Sequence, residues 1–150
     1  MTGQMTGRTD LALTDRGADE ARQLAPRLRR LHVSRVLTSP LERARQTAAL
    51  AGFLDAETDP DLQEWDYGAY EGRRTLDVRA ERPDWRLFEH GCPGGETPDA
   101  VGARADRVIA RVRAGDGNTL DLEVIPIAPG GKTEMVHMHR LQTEADRKTQ

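Results

Sequence analysis

An α/β fold, with helices on both faces of a mostly parallel sheet, is predicted by three features of the chain. A helix, a short strand and a second helix follow one another in the first half, and a further long amphipathic stretch comes later. Thr14 before Asp15-Arg16-Gly17 reads as an N-cap with an acidic first turn. Ala18, Ala21, Leu24, Ala25, Leu28 and Leu31 then recur at three and four, so a helix is expected over 15–31. The β-branched run 33–37 suits a buried strand. Ser39 as N-cap and Pro40 at the first helical position open a helix that stops at Gly52.

Further along, Leu62 to Trp65 is expected to form another short strand, with Gly68 and Gly72 punctuating the loop after it. Thr75 caps a helix that ends before Pro83. The cluster 91–97 is dense in turn residues, and Thr97 with Pro98 starts a helix carrying Val101, Ala105, Val108, Ile109 and Val112 on one face. From Gly115 the texture changes. Residues 120–127 alternate as a strand, Pro126, Pro129, Gly130 and Gly131 break it, and the last ten residues are polar enough to be disordered.

The 150 residues suit a single domain, and at 37% hydrophobic the apolar positions are few but periodic. A net charge of -3 gives no general reason to bind nucleic acid. No apolar run approaches the roughly 18 residues of a membrane helix, and the start lacks signal character, so a cytoplasmic protein with no membrane partner is expected. The single cysteine, Cys92, forms no internal disulfide and offers no metal-ligand spacing; neither metal nor cofactor is expected. Charge is unevenly spread: residues 1–50 carry nine Arg against five acids, and residues 51–72 carry seven acids with no Lys or Arg. Either these are solvated faces, or a basic segment folds against an acidic one and makes an anion site with a carboxylic acid at its rim.

Two stretches carry candidate chemistry. A strand ending in the Ser39-Pro40 helix start presents backbone N–H groups to anions, and an arginine one turn in adds a charge-assisted pair. Arg43 and Arg45 point to different faces, so at most one enters such a site. In the second stretch, 62–72, a carboxyl group sheltered by Trp65 and Tyr67 is tuned toward general acid chemistry; alternatively the aromatics only anchor the loop.

Together these residues resemble successive motifs of the histidine phosphatase (phosphoglycerate mutase-like) superfamily. The matching pieces are Thr6-Gly7-Arg8-Thr9-Asp10-Leu11, Leu13-Thr14-Asp15-Arg16-Gly17, Leu37-Thr38-Ser39-Pro40 with Arg43-Ala44-Arg45-Gln46-Thr47, and Glu64-Trp65-Asp66-Tyr67-Gly68 with Tyr70-Glu71-Gly72. The 91–97 loop resembles that of the small bacterial acid phosphatases of this family. The resemblance covers 1–114, a partial domain, and leaves 115–150 as a divergent tail. It implies a three-layer sandwich that here lacks the first strand and the last. It also implies phosphomonoester hydrolysis through a phosphohistidine, with a phosphorylated small molecule or inorganic phosphate as ligand. Carried over by motif, Arg43 clamps the phosphate, Glu64 donates the proton, Thr6 and Gly7 line the substrate approach, and Tyr67 lies near the acid. Phosphatase is favoured over mutase by the short 64–72 region and the Cys92 loop.

Two departures qualify this expectation. The Arg-His-Gly motif that supplies the family's nucleophile is not in the sequence, and no Ser-His-Gly turn follows Gly115. His137, in Met135-Val136-His137-Met138-His139, is the substitute candidate, read as part of an irregular tail. His32 falls in a helix-to-strand connection and matches neither motif. The expectation is therefore a truncated or mis-framed product, catalytically crippled. Its alternatives are a non-catalytic phosphate-ligand binder and a nonfunctional fragment.

Overall fold

In the computed structural model of the chain, residues 3–31 and 33–114 are described with their side chains, and residues 119–125 and 135–141 by their backbone. Helix α1 spans Asp15–Leu28, and the Thr14 hydroxyl caps it by accepting from the Gly17 amide at 3.1 Å. It ends three residues before the expected limit at 31. Pro26 lies in its last turn, where the missing N–H removes one helical hydrogen bond, and Leu31 is left 37% exposed.

Strand β1 (Arg35–Thr38) runs parallel to the two-residue β2 (Glu57–Thr58) on one side and to β3 (Thr119–Ile125) on the other. An antiparallel β4 (Met135–Leu141) completes the order β2-β1-β3-β4. Successive strand residues face opposite sides, and β1 shows the result. Val36 packs with Leu28, Ala48 and Ala51 of α1 and of helix α2 (Glu42–Leu50) and its end, whereas Leu37 packs with Val108 and Val112 of helix α5 (Pro98–Ala114). Helices therefore cover both faces, and the three-layer α/β architecture holds.

Several further sequence expectations are corrected. The strand foreseen at Leu62–Trp65 lies earlier, at β2, and Pro60–Leu62 form a 3₁₀ turn instead. Pro60 fixes φ and donates no hydrogen bond, while the Asp59 carboxylate accepts from the Asp61 amide at 2.9 Å, so the chain turns there. Ser39 and Pro40 do not open α2. The chain bends at Pro40 and Leu41, Leu41 itself has extended dihedrals as the residue before the helix, and Ser39 Oγ accepts only a long 3.4 Å bond from the Leu41 amide. Lastly, His137 is not in an irregular segment: it lies in β4, in register with Glu123 of β3.

Thr75, expected as a cap, is instead the first residue of α3 (Thr75–Glu81), and Arg74 precedes it. The short α4 (Leu87–His90) ends in His90, whose Nδ1 accepts from the Arg86 amide at 3.1 Å. Thr97 does cap α5, its hydroxyl accepting from the Ala100 amide at 3.2 Å. Of the face foreseen on that helix, Val108 and Val112 are buried and Ala105 is exposed. A third core gathers Met5, Trp65, Tyr70, Val78, Trp85 and Cys92 away from the sheet. His32, residues 142–150 and the 126–131 breakers lie outside the described residues, while Leu141 closes β4. Among the described residues no helix is long and apolar enough to cross a membrane.

Candidate functional site

Parallel strands deliver the loops that follow them to one edge of a sheet, and the site grows from that rule. Asp59, just past β2, donates its amide to the Thr38 carbonyl at 2.9 Å, so the ends of β1 and β2 are tied together. Arg43 sits near the start of the helix after β1, and Glu64 follows the turn after β2. Neighbouring strands thus bring to one edge two residues that lie in separate motifs.

Arg43 is only 3% exposed. Its Nη1 donates to the Thr9 carbonyl at 2.9 Å and its Nη2 to the Gly7 carbonyl at 3.2 Å. Its Nε is buried and has no acceptor among the described residues. Burial lowers the guanidinium pKa, and the charges of Glu64, Asp10 and Glu71 act against that, Glu64 most strongly. Arg43 therefore remains a cation in a field of three carboxylates, with Glu64 within electrostatic reach. Arg45, two residues on, is exposed.

Glu64 is half-buried, and its Oε1 accepts from the Trp65 amide at 2.8 Å. Trp65 itself turns into the core and donates its indole N–H to the Glu96 carbonyl at 3.3 Å, so this aromatic anchors the loop. Tyr67 stays beside the carboxylates. Its phenol is pushed up to about 12, first by burial and then by the charges of Glu64, Cys92 and Glu71, and it holds its proton at neutral pH. Gly7 fits against both aromatics: a Cβ there would lie 1.7 Å from the Trp65 carbonyl oxygen and 3.0 Å from Tyr67 Cδ2. Thr6, half-buried, precedes it in the same segment. Arg43, Glu64, Gly7 and Tyr67 are thus brought together.

Several supporting residues lie inside the matched motifs but are not among the site residues expected from the sequence. Asp10 accepts from the Glu42 amide at 2.8 Å, so the first helical amide of α2, expected to be available to an anion, is already taken by a protein carboxylate. Glu71 Oε1 accepts from both the amide (2.9 Å) and the hydroxyl (2.8 Å) of Thr9. Glu96 accepts from the Asp66 amide at 2.9 Å and from Arg104 Nε at 2.8 Å, and lies 3.5 Å from Arg8 Nη2. Burial raises the Glu96 pKa, but the Arg104 hydrogen bonds, the Asp66 amide and the nearby cations outweigh it and hold the carboxyl below its usual value. The 91–97 loop docks by backbone, with Ala69 N–H to the Pro93 carbonyl at 2.8 Å and Glu96 N–H to the Asp66 carbonyl at 2.9 Å. Gly68 is required at that seam, because its φ is +49° and a Cβ would lie 2.4 Å from the Pro93 oxygen.

As chemistry, the arrangement offers the buried cation of Arg43, whose Nε–H no described residue accepts, the half-buried carboxyl group of Glu64 and a protonated phenol. It offers no thiolate, since burial and then the charges of Asp66 and Glu71 push the Cys92 thiol up to about 11. Among the described residues no group of three or more His, Cys, Asp or Glu is placed to hold a metal ion.

The family model of the histidine phosphatase superfamily, branch 1, matches residues 1–146. The chain belongs to the histidine phosphatase superfamily. It is 42% identical to an acid phosphatase of Mycobacterium tuberculosis over 110 residues, which are 72% of this chain and 54% of that one. To a sedoheptulose 1,7-bisphosphatase of Saccharomyces cerevisiae it is 34% identical over 137 residues, 75% of this chain and 50% of the relative. A probable phosphoglycerate mutase of Enterobacter is 33% identical over 79% of this chain and 56% of its own. The chain spans about half the length of the curated relatives it matches. Among solved histidine phosphatase folds, an open-reading-frame product of Mycobacterium tuberculosis superposes with a TM-score of 0.73 at 38% identity, covering 81% of this chain and 65% of the other. A phosphoglycerate mutase of Thermus thermophilus gives 0.64 at 37%, covering 75% and 65%. These neighbours agree with the phosphoglycerate mutase-like α/β sandwich read from the motifs.

Proposed function

We propose that this chain recognises the phosphate of a small phosphorylated molecule through Arg43, that Glu64 is the acid facing the leaving oxygen, and that these 150 residues bind such an ester without sustained turnover. The observation that carries the reading is Arg43 itself, buried, charged, and left with an Nε–H that no described residue accepts. Unpaired buried donors are rare in folded proteins, and an arginine edge matches the geometry of a phosphate. Thr6, Gly7 and Tyr67 border the same place and contact the rest of the ligand.

The family's chemistry is phosphomonoester hydrolysis through a phosphohistidine. Phosphatase is preferred to mutase because the 64–72 region is short and the 91–97 loop resembles that of the acid phosphatases, and the acid phosphatase relative at 42% identity supports this. Turnover needs a nucleophile, and the sequence contains no Arg-His-Gly segment to supply it. His137, on the edge strand β4, is the substitute that an assay addresses. The setting is the cytoplasm, in keeping with one unpaired, buried cysteine.

The test is calorimetric titration with inorganic phosphate, vanadate and 3-phosphoglycerate. Arg43→Ala is expected to weaken binding by roughly 10- to 100-fold, the value of a charge-assisted hydrogen bond. Undiminished binding in that variant would sink the reading. A generic phosphate ester assayed across pH 4 to 8 tests turnover: robust hydrolysis that His137→Ala abolishes would replace the binding-only reading with a catalytic one.

A further inference from the structure

Arg43 is aimed by backbone, not by a carboxylate. Its two amino groups are held by the carbonyls of Gly7 and Thr9, which belong to a segment that forms no helix and pairs only through one isolated bridge, Gln4 with Arg74. Whatever fixes that segment therefore fixes the guanidinium. At one end, Met5 exchanges backbone bonds with the 71–74 turn, its amide to the Arg73 carbonyl at 2.8 Å and its carbonyl from the Gly72 amide at 2.7 Å. At the other, Asp10 holds the Glu42 amide. Between them Thr9 is exposed. Its carbonyl also accepts from the Leu11 amide at 3.1 Å, and among the described residues Glu71 is the side chain that holds it, a single Oε1 taking both its amide and its hydroxyl.

The residue that Glu71 grips is thus the same one whose carbonyl grips Arg43 Nη1. Glu71 is not spent on a salt bridge. No described cation lies within ion-pair distance of it, and its buried Oε2 has no partner among the described residues. A buried carboxylate oxygen left unpaired is costly, which argues against a purely stabilising role. Its charge reaches Arg43, Tyr67 and Cys92 alike, so it stands at the inner side of the site.

We propose that Glu71 is a positioning residue: by holding Thr9 it commits the Nη groups of Arg43 to the backbone and so keeps the guanidinium in place for the phosphate. The last clause rests on the phosphate-binding reading given above; the Glu71–Thr9–Arg43 linkage does not.

The experiment separates the two. Nitrogen-15 spectra of the full chain report the Arg43 Nε–H signal, and hydrogen exchange reports the Thr9 amide, both without ligand. In Glu71→Ala the Thr9 amide is expected to exchange at least about tenfold faster and the Arg43 signal to shift or broaden, with vanadate affinity down about tenfold. Glu71→Gln keeps the accepting oxygen and is expected to restore all three to within about threefold, which a general loss of stability would not do. Should Glu71→Ala fail to fold, Thr9→Val, which removes only the hydroxyl bond, is expected to show the same changes at smaller amplitude. Unaltered Thr9 exchange and an unaltered Arg43 signal in Glu71→Ala, or in Thr9→Val if that is the variant that folds, overturn the linkage whatever vanadate does. If the linkage responds but the parent chain binds neither vanadate nor phosphate, the clause about phosphate falls with the proposed function.

Discussion

At Gly7 one hydrogen atom decides how close the N-terminal segment can come to the site. A Cβ placed there would lie 1.7 Å from the Trp65 carbonyl oxygen, a backbone atom that no rotamer change can move aside. The segment would have to lift. Because the Gly7 carbonyl accepts from Arg43 Nη2, the lift would be felt at the guanidinium as well. Gly7→Ala is expected to lower stability by about 1–3 kcal/mol, as overpacking does, and to weaken vanadate binding together with it. Urea unfolding measures the first and calorimetry the second. An unchanged unfolding midpoint would show that the 64–67 backbone yields, and the fit described here would then be wrong. The neighbouring Arg8 is part of the same strap: its Nη1 donates to the Gln63 side-chain carbonyl, and its charge approaches Glu96, so the segment is fastened on both sides of Gly7.

Elements differ in how locally their ends are specified, and α2 is the least local of them. No side chain from its own first turn caps it; Asp10, 32 residues earlier, accepts from the Glu42 amide. Asp10→Ala is expected to cost about 1 kcal/mol, the usual worth of a cap, and Asp10→Asn to retain most of it because an amide oxygen still accepts. Chemical denaturation of the two variants checks this, and equal losses would point to charge rather than the hydrogen bond as the source. The same contrast explains what could be read in advance. The Thr14 and Thr97 caps lie within one turn of the amides they serve, and the apolar spacing of α1 and α5 is a property of those segments alone, so both helices were legible. The β-branched run foreshadowed β1, and motif resemblance picked out Arg43 and Glu64. The shift of β2 to 57–58 was not legible, because apolar residues at 62–65 look like a strand until Pro60 and the Asp59 side chain turn the chain before them. Asp10, Glu71 and Glu96 fall inside the matched motifs, but their roles were hidden for a related reason: each is one acid among many, distinguished by partners at distances of 30 residues or more, such as Asp66 for Glu96 and Thr9 for Glu71.

Across the whole molecule, the loop that carries Glu64 is held by the helix on the opposite face of the sheet from α1 and α2. Val108 and Val112 of α5 bury against Leu37, and the same helix reaches the turn after β2 with three arginines. Arg107 and Arg111 both bond the Asp61 carboxylate, at 2.6 Å and 2.7 Å, Arg111 also bonds Asp59 at 2.6 Å, and Arg104 donates to the Asp61 carbonyl at 2.8 Å. The hydrogen bonds from Arg107 and then Arg111 hold the Asp61 carboxyl at about 2, against 3.8 for the free group. In the unfolded chain that carboxyl takes up its proton first as pH falls, so protonation draws the equilibrium toward unfolding. The contribution of Asp61 is thus complete above about pH 4 and disappears as pH falls toward 2, the window set by these two values. Because Arg107 is exposed and Arg111 partly so, water and salt screen their bonds to Asp61, and the effect at neutral pH is expected to be modest. The test is the pH dependence itself. Urea midpoints measured from pH 5 down to pH 2 are expected to fall more steeply in the parent chain than in Asp61→Asn, with the two curves converging at the acid end. Added salt is expected to narrow the gap. Parallel curves would mean that the clamp does not couple to folding, and that the apolar contacts of Val108 and Val112 alone keep α5, and with it the turn before Glu64, in place.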